Sequence, residues 1–244
     1  MKQVLFQIIN NEPLNSNVFR IRMQGDVSDI TAPGQFVNIK LEGMYLRRPI
    51  SVCDVDGDLL TIIYKVVGKG TEALSRMPSG NLDVLVGLGN GYQTDVSGEE
   101  PLLIGGGVGV PPLYYLAKQL LVEGKKPSVI LGFNTRSEVF CYDEFCALGI
   151  PVYVTTVDGS FGIRGFVTDA LKEVSYSYFY TCGPEPMLKA VFHNTSTSGQ
   201  FSFEERMGCG FGACMGCSCK TVTGYKRICK DGPVLRKEEI LWED

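Results

Sequence analysis

The chain has 244 residues, enough at about 100 to 200 per domain for one or two folding units and a small further module. Hydrophobic residues make up 44%, which excludes wholesale disorder, and 23 basic against 27 acidic residues leave a net charge of −4, no footprint for nucleic acid or an anionic membrane. Nine Cys stand beside one His and one Trp; they are odd in number, too sparse for a disulfide scaffold, and crowded between Cys209 and Cys229.

The first residues carry no apolar core followed by a small-residue cleavage site, so no secretory signal is expected and the compartment is read as the reducing cytoplasm. From there to about residue 97, short strands alternate with turn residues. They are Val4 to Ile9, Val18 to Met23, Gln35 to Leu41, Ile50 to Asp54, Leu59 to Val67 and Asn81 to Val86. Strands of this length and spacing predict a small antiparallel β-barrel. Within it, Arg48-Pro-Ile-Ser51 follows one barrel strand, and Gly70-Thr71 follows another, just before a short helical stretch from Glu72 to Arg76. Gly70 allows close approach of a phosphate, Thr71 reads as a helix N-cap, and Arg48 offers a bidentate donor for a pyrophosphate.

After residue 98 the rhythm becomes strand and helix in alternation. Strands are expected at Leu102 to Ile104, Ser128 to Phe133, Val152 to Thr156 and Tyr178 to Cys182. Helices are expected from Pro112, near Asp143, after Gly165 and from Glu185. That is the pattern of an α/β domain with a parallel sheet. The first strand runs into Gly105-Gly106-Gly107-Val108-Gly109-Val110-Pro111, a glycine-rich turn before a helix that suits a dinucleotide pyrophosphate, although its spacing is not G-x-G-x-x-G. The apolar run through this turn is broken by glycine and proline and cannot span a membrane. Cys182-Gly183-Pro184 closes the fourth strand at its carboxyl end, where such sheets bind ligands. Arg136, placed for a 2′-phosphate, and Asp158, placed for a free 2′-hydroxyl, leave NAD against NADP open.

The tail reads Cys209-x4-Cys214-x2-Cys217 with Cys229 after eleven intervening residues, the plant-type [2Fe-2S] ligand pattern. Glycines at 208, 210, 212 and 216 suit a loop that wraps inorganic sulfide. Cys219 is a fifth candidate; spacing favours Cys217, while strand alternation does not separate the two. A structural zinc site would pair two C-x2-C knuckles, and only one is present. This segment, 201–244, has too little apolar periodicity for its own core and is expected to depend on its cluster. Cys53, Cys141 and Cys146 stand among apolar neighbours and read as small buried fillers. His193 reads as an ordinary helix-end residue, and Arg236-Lys-Glu-Glu239 as a solvated helical face.

These motifs, in this order and over nearly the whole chain, resemble the ferredoxin reductase superfamily. The tail, with Glu204-Glu205-Arg206-Met207-Gly208-Cys209, resembles the electron-transfer subunits of NAD-dependent (class 1B) dihydroorotate dehydrogenases. The resemblance implies three parts: an FAD-binding antiparallel β-barrel over 1–97, an NAD-binding α/β domain over 98–200 and a [2Fe-2S] module over 201–244. It implies that Arg48, Pro49, Ile50, Ser51, Ile63, Tyr64, Lys65, Gly70 and Thr71 line FAD, with Ser51 beside flavin N5. NAD(H) would meet Gly105, Gly106, Gly107, Gly109, Pro111, Cys182, Gly183 and Pro184, with Cys182 near the nicotinamide. Nicotinamide exchanges two electrons and a [2Fe-2S] cluster one, so a flavin has to stand between them. A β/α barrel to oxidise dihydroorotate takes about 250 residues, so the resemblance implies a separate FMN-containing catalytic partner, in a heterotetramer. Related flavin subunits of ferredoxin:NAD(P) oxidoreductases, sulfide dehydrogenases or hydrogenase diaphorases are the alternative, and a non-catalytic redox-sensing or zinc-stabilised nucleotide binder is an alternative of another class.

Overall fold

The computed structural model describes residues 1–242. Six strands, β1 (Lys2–Pro13), β2 (Val18–Gln24), β3 (Phe36–Lys40), β4 (Arg48–Asp56), β5 (Leu59–Lys65) and β6 (Gly80–Leu88), close into an antiparallel barrel in the order β1-β2-β5-β4-β3-β6. Alternation builds its core: Phe6 and Ile8, Ile21 and Met23, Leu60 and Ile62, and Leu82, Val84 and Val86 all point inward and are buried. Helix α1 (Lys69–Ser75) follows β5 and plugs the barrel with Leu74, while Asn11 donates to the carbonyls of Leu74 and Met77.

This helix begins three residues earlier than the sequence suggests. Gly68 is its N-cap, and Thr71 sits in the first turn with its hydroxyl accepting from the Val67 and Gly68 N–H groups, 2.9 and 3.3 Å away. Thr71 is thus not the N-cap; its side chain reaches back and satisfies donors ahead of the helix.

The second layer is a seven-stranded sheet. It holds β7 (Pro101–Gly106), β8 (Ser128–Phe133), β9 (Val152–Thr156), β10 (Ile163–Arg164), β11 (Tyr178–Cys182) and β12 (Gly199–Ser202), with α2 (Pro111–Val122), α3 (Tyr142–Ala147), α4 (Val167–Ala170) and α5 (Glu185–Asn194) as connections. Every residue of β7 is buried, as a central parallel strand requires. The order β10-β9-β8-β7-β11-β12 means the chain winds outward from β7 in one direction, then returns to its other side at β11. The crevice between the carboxyl ends of β7 and β11 is therefore the topological switch point, where open sheets of this kind take ligands.

The tail adds a small hairpin of β13 (Ser218–Thr221) and β14 (Gly224–Arg227), then β15 (Val234–Arg236), which pairs antiparallel with β12 at the sheet edge. Strand β12 runs across the 200/201 division, and Cys217, Ile228, Cys229, Leu235 and Ile240 join the same core as Leu102, Phe179 and Phe201. The tail thus borrows a core from the sheet. The segment read as a solvated face is also pinned: Lys237 donates to Thr195 and lies 5.7 and 5.4 Å from the rings of Phe179 and Phe192. Its neighbours in that segment are held too, Arg236 by Gln93 and Glu239 by Lys226.

Barrel and sheet meet through Val18, Cys53 and Ile63 on one side and Val110, Leu113 and Leu116 on the other. Lys118 pairs with Asp54 at 2.7 Å, and Arg20 pairs with Glu144. Ion pairs of this exposure contribute about 0.2 to 1 kcal/mol, whereas one fully buried Ile or Leu contributes about 1.5 to 3 kcal/mol, so apolar contact holds the two bodies together.

Candidate functional site

The first half of β4 differs from the rest of the barrel. Arg48, Pro49, Ile50 and Ser51 are only half-buried, while Val52 and Cys53 are buried. The guanidinium of Arg48 lies directly on Gly70; a Cβ at Gly70 would stand 2.1 Å from Nε. The strand and the residues opening α1 thus form one ledge with a planar cation on it, a fit for a dinucleotide pyrophosphate. Lys65 is exposed on the neighbouring strand, and Gly70 and Thr71 are buried beneath the ledge.

Tyr64 and Ile63 occupy other places. The Tyr64 ring lies inside the barrel, stacked on Phe19 at 5.9 Å, and its hydroxyl donates to Asn11 Oδ1 at 3.0 Å. Ile63, facing the opposite way, is buried in the interface with α2. Only the backbone of Tyr64 remains to meet a ligand.

At the switch point Gly105 and Gly106 end β7, and a 3-10 turn, Gly107–Gly109, leads to α2 with Pro111 at its start. Gly107 has φ +52°, and a Cβ there would meet open space, so the turn exposes backbone to a ligand. Gly109 instead faces inward, and its Cβ would stand 2.3 Å from the Cys182 carbonyl oxygen. At Gly106 a Cβ would stand 2.4 Å from Met187 Sδ. The two glycines let the turn and the Cys182-Gly183-Pro184 loop press against each other. Cys182 itself pairs with Gly105 on one side and Ser202 on the other. Burial pushes its thiol up to about 12, against a hydrogen bond with Ser202, so it stays protonated at neutral pH.

The nucleotide-selective candidates lie on the adjoining loops. Asp158 Oδ1 accepts from the Ser160 N–H and hydroxyl at 2.9 and 2.6 Å, and Ser160 in turn accepts from the Arg136 N–H. The Arg136 guanidinium lies over the Phe161 ring at 5.4 Å. A hydrogen bond between the two loops therefore brings both residues together.

In the tail, backbone N–H groups link Cys214 to the Cys209 sulfur and Cys229 to the Cys217 sulfur. Cys209 Sγ accepts from the N–H groups of Ala213 and Cys214 at 3.2 and 3.5 Å, and Cys217 Sγ from that of Cys229 at 3.4 Å. Burial pulls the Cys209 thiol up, but N–H donors from Cys214, Phe211 and Ala213 outweigh it and bring it down to about 6. Among the described residues no three Cys, His, Asp or Glu side chains gather as a single-ion site. Four cysteines whose sulfurs and backbone donors are linked in this way would suit a [2Fe-2S] cluster. Cys219 lines a concavity with Glu204, Glu205, Pro184 and Trp242.

Two holders of this loop leave no motif in the sequence. Asn38, buried on β3, donates to the Cys209 carbonyl at 3.3 Å, and Gly210 passes so close that its Cβ would lie 2.3 Å from Asn38 Nδ2. Arg227 donates to the Gly212 carbonyl at 3.0 Å while Asp231 grips its guanidinium. The spacing of Arg227 and Asp231 is the one local hint of the latter. Of the expected fillers, Cys53 and Cys141 are buried, but Cys146 is exposed, on the outer face of the short helix α3. His193 lies in the last turn of α5, its ring edge-on to Phe192 at 5.2 Å.

Residues 204–241 match the family described as the iron-sulfur cluster binding domain of dihydroorotate dehydrogenase B, and residues 103–193 match the oxidoreductase NAD-binding domain. The electron transfer subunit of dihydroorotate dehydrogenase B (NAD(+)) from Geobacillus sp. (strain WCH70) is 43% identical over 256 aligned positions, covering 99% of each chain. That of Fusobacterium nucleatum is also 43% identical, covering 94% of this chain and 95% of the other. Among solved structures, an NADH-dependent reduced ferredoxin-NADP oxidoreductase superposes with a TM-score of 0.88 at 31% identity, covering 97% of this chain and 90% of that one. A ferredoxin NADP+ reductase from Neisseria gonorrhoeae with bound FAD and NADP superposes with a TM-score of 0.69 at 17% identity, covering 80% and 90%; it shares the fold.

Proposed function

The chain belongs to the family of dihydroorotate dehydrogenase B (NAD+) electron transfer subunits, and on that premise we propose which of its residues carry the electrons. Members of this family pass electrons to NAD+ in pyrimidine biosynthesis, and the cofactors are FAD, a [2Fe-2S] cluster and NAD(H). The activity is that of an oxidoreductase subunit working with a dihydroorotate dehydrogenase catalytic subunit. When bound, FAD exchanges two electrons with the nicotinamide as a hydride and one at a time with the cluster.

The chain's own residues hold, orient and shield. Cys209, Cys214, Cys217 and Cys229 are the cluster ligands in this reading, Asn38 and Arg227 fix their loop, and Cys219 is left out. The ledge of Arg48, Pro49, Ile50 and Ser51 with Gly70 and Thr71 takes FAD, Arg48 meeting its pyrophosphate and the Ser51 hydroxyl its isoalloxazine edge. Ile63, Tyr64 and Lys65 add backbone from β5. The turn of Gly105, Gly106, Gly107, Gly109 and Pro111 takes the NAD pyrophosphate, and Cys182, Gly183 and Pro184 floor the nicotinamide site. A hydride passed to NAD+ would carry two electrons, arriving singly, and one proton, which solvent can supply, so no side-chain acid or base is assigned, and the Cys182 thiol stays neutral at neutral pH. These residues divide into parts close to 1–97, 98–200 and 201–244, with β12 and β15 stitching the last two. The partner carries FMN, the assembly is a heterotetramer, and its compartment is the cytoplasm, whose reducing conditions suit cysteine cluster ligands. No helix among the described residues is long and apolar enough to cross a membrane.

The observation that carries this reading is the loop in which backbone N–H groups of Ala213, Cys214 and Cys229 point at the Cys209 and Cys217 sulfurs. Co-expression with a dihydroorotate dehydrogenase catalytic chain tests it. The expected product is a complex holding FMN, FAD, iron and acid-labile sulfide that reduces NAD+ with dihydroorotate. A chain that binds flavin but neither associates with that partner nor accepts its electrons contradicts the reading.

The ligand choice has its own check. Cys219→Ser should keep the full iron and sulfide content and the visible spectrum of the cluster, because Cys219 lines the Glu204 and Trp242 concavity. Loss of the cluster in that variant would reassign the third ligand. Arg48→Ala should weaken FAD binding by about tenfold or more, the worth of a bidentate charge-assisted contact, as read by flavin released on gel filtration.

A further inference from the structure

Strands β3 and β4 lay the cluster loop and the flavin ledge side by side. The inward residues of β3, Val37 and Ile39, are fully buried in the barrel core. Its outward residues, Phe36 and Asn38, stand directly opposite Ser51 and Pro49 of the ledge in the antiparallel ladder, so all four side chains share one face of the sheet. Phe36 joins the core that holds Cys217 and Cys229, and Asn38 Nδ2 donates to the Cys209 carbonyl at 3.3 Å.

Barrel stability does not account for an amide at this place. Asn38 is 1% exposed, and its Oδ1 is buried with no hydrogen-bond partner among the described residues. A buried acceptor left without a donor costs about 1 to 3 kcal/mol, whereas the single bond from Nδ2 contributes about 1 kcal/mol. A leucine would fill a similar volume without that cost. What the amide adds is a fixed link between two segments. On the barrel side, the Asn38 carbonyl accepts from Arg47 Nη1 at 3.3 Å, and Arg47 also pairs with Asp83 of β6 at 2.9 Å. On the tail side, Gly210, at φ +79°, packs so closely that its Cβ would lie 2.3 Å from Nδ2. The N–H groups of Ala213 and Cys214 hold the Cys209 sulfur in turn, so a shift of the Cys209 carbonyl carries the sulfur and its turn with it.

We propose that Asn38 is a positioning residue for one-electron transfer between flavin and cluster: it ties the Cys209 end of the ligand loop to the strand paired with the flavin ledge. One electron leaves one cofactor and reaches the other; Asn38 supplies neither electron nor proton. Its amide donates to a carbonyl and not to a ligand sulfur, so it sets the place of the cluster and leaves the potential to the N–H groups on the sulfurs. The inference rests on the proposed FAD and cluster sites but not on the catalytic partner, because NADH supplies the electrons in its test.

That test mixes NADH with the complete holo complex carrying wild-type chain, Asn38→Leu or Asn38→Ala, the alanine guarding against crowding by leucine. Flavin reduction is followed by absorbance, and cluster reduction by the paramagnetic signal of rapidly frozen samples. In both variants the flavin should be reduced at the wild-type rate and the cluster about tenfold more slowly or worse. Iron and sulfide content and the midpoint potential of the cluster should match wild type, while amide exchange in the 208–214 segment quickens. The melting temperature of Asn38→Leu should not fall, as it would if the amide served stability. Cluster reduction at the wild-type rate in the variants overturns the inference, and so does a slowing that follows lost iron or a shifted potential. A wild-type complex without a cluster would instead contradict the proposed function, and this inference with it.

Discussion

Cys214→Ser should give a complex that keeps its flavins, loses the visible and paramagnetic signature of the iron–sulfur cluster, and reduces NAD+ with dihydroorotate at about one hundredth of the normal rate or less, since the one-electron carrier is gone. Cys214 is exposed, so truncating this proposed ligand removes no core packing. The same protein should still oxidise NADH with ferricyanide, a reaction that needs only the flavin ledge and the glycine turn. That contrast separates loss of the cluster from misfolding. Cys214→Ala guards against a serine oxygen standing in for sulfur. Some loss of stability is also expected, because a cluster that binds only the folded tail lends that tail its binding free energy. The borrowed core of Ile228, Leu235 and Ile240 keeps that loss partial. A cluster-free complex that reduced NAD+ at the wild-type rate would remove the cluster from the route.

Gly109→Val carries the second large effect. The clash is with backbone, since the Cβ would stand 2.3 Å from the Cys182 oxygen and 2.5 Å from the Gly183 nitrogen. Neither atom can move without shifting β11 or the start of α2, both in the buried centre of the sheet. Overpacking of this kind costs about 3 kcal/mol or more, and at about 2 to 4 °C per kcal/mol the melting temperature should fall by about 6 to 12 °C. The proposed NAD pyrophosphate site and nicotinamide floor are the two surfaces forced apart. The KM for NADH should therefore rise at least about tenfold, while FAD content holds because the ledge lies on the barrel. Gly107→Ala, where a Cβ meets open space but φ is +52°, should cost less stability. If Gly109→Val left NADH kinetics unchanged at a lowered melting temperature, the turn would be a packing device and the nucleotide would bind elsewhere.

Much of this molecule is legible from local pattern. Period-two alternation marks the barrel strands, because a strand with one face in a core and one in water alternates residue by residue. The strand, glycine turn and Pro111 helix announce themselves together, since a turn exposing backbone to an anion needs those residue types at that place. Thr71 misleads because its hydroxyl serves donors behind it as readily as ahead. Strand β12 escapes notice because it is four residues long and carries Gln200, whose amide is satisfied only by the distant Gln93 and Tyr178. Cys146 reads as buried from its neighbours, yet it sits on the outer side of a helix too short to show a period.

The sequence by itself determined the three-part order, the four-thiol spacing and the positions of the glycine turn and the arginine ledge. Each is a requirement of local chemistry: a ligand, a turn or a strand face needs particular residues a fixed few positions apart. Tertiary structure alone decided that Asn38 holds the loop of Cys209, 171 residues away, that Gly109 is a packing residue for Cys182, and that β15 closes onto β12. Such contacts depend on which distant surfaces meet when the two cores form, and close packing of distant segments leaves no periodic trace in either of them.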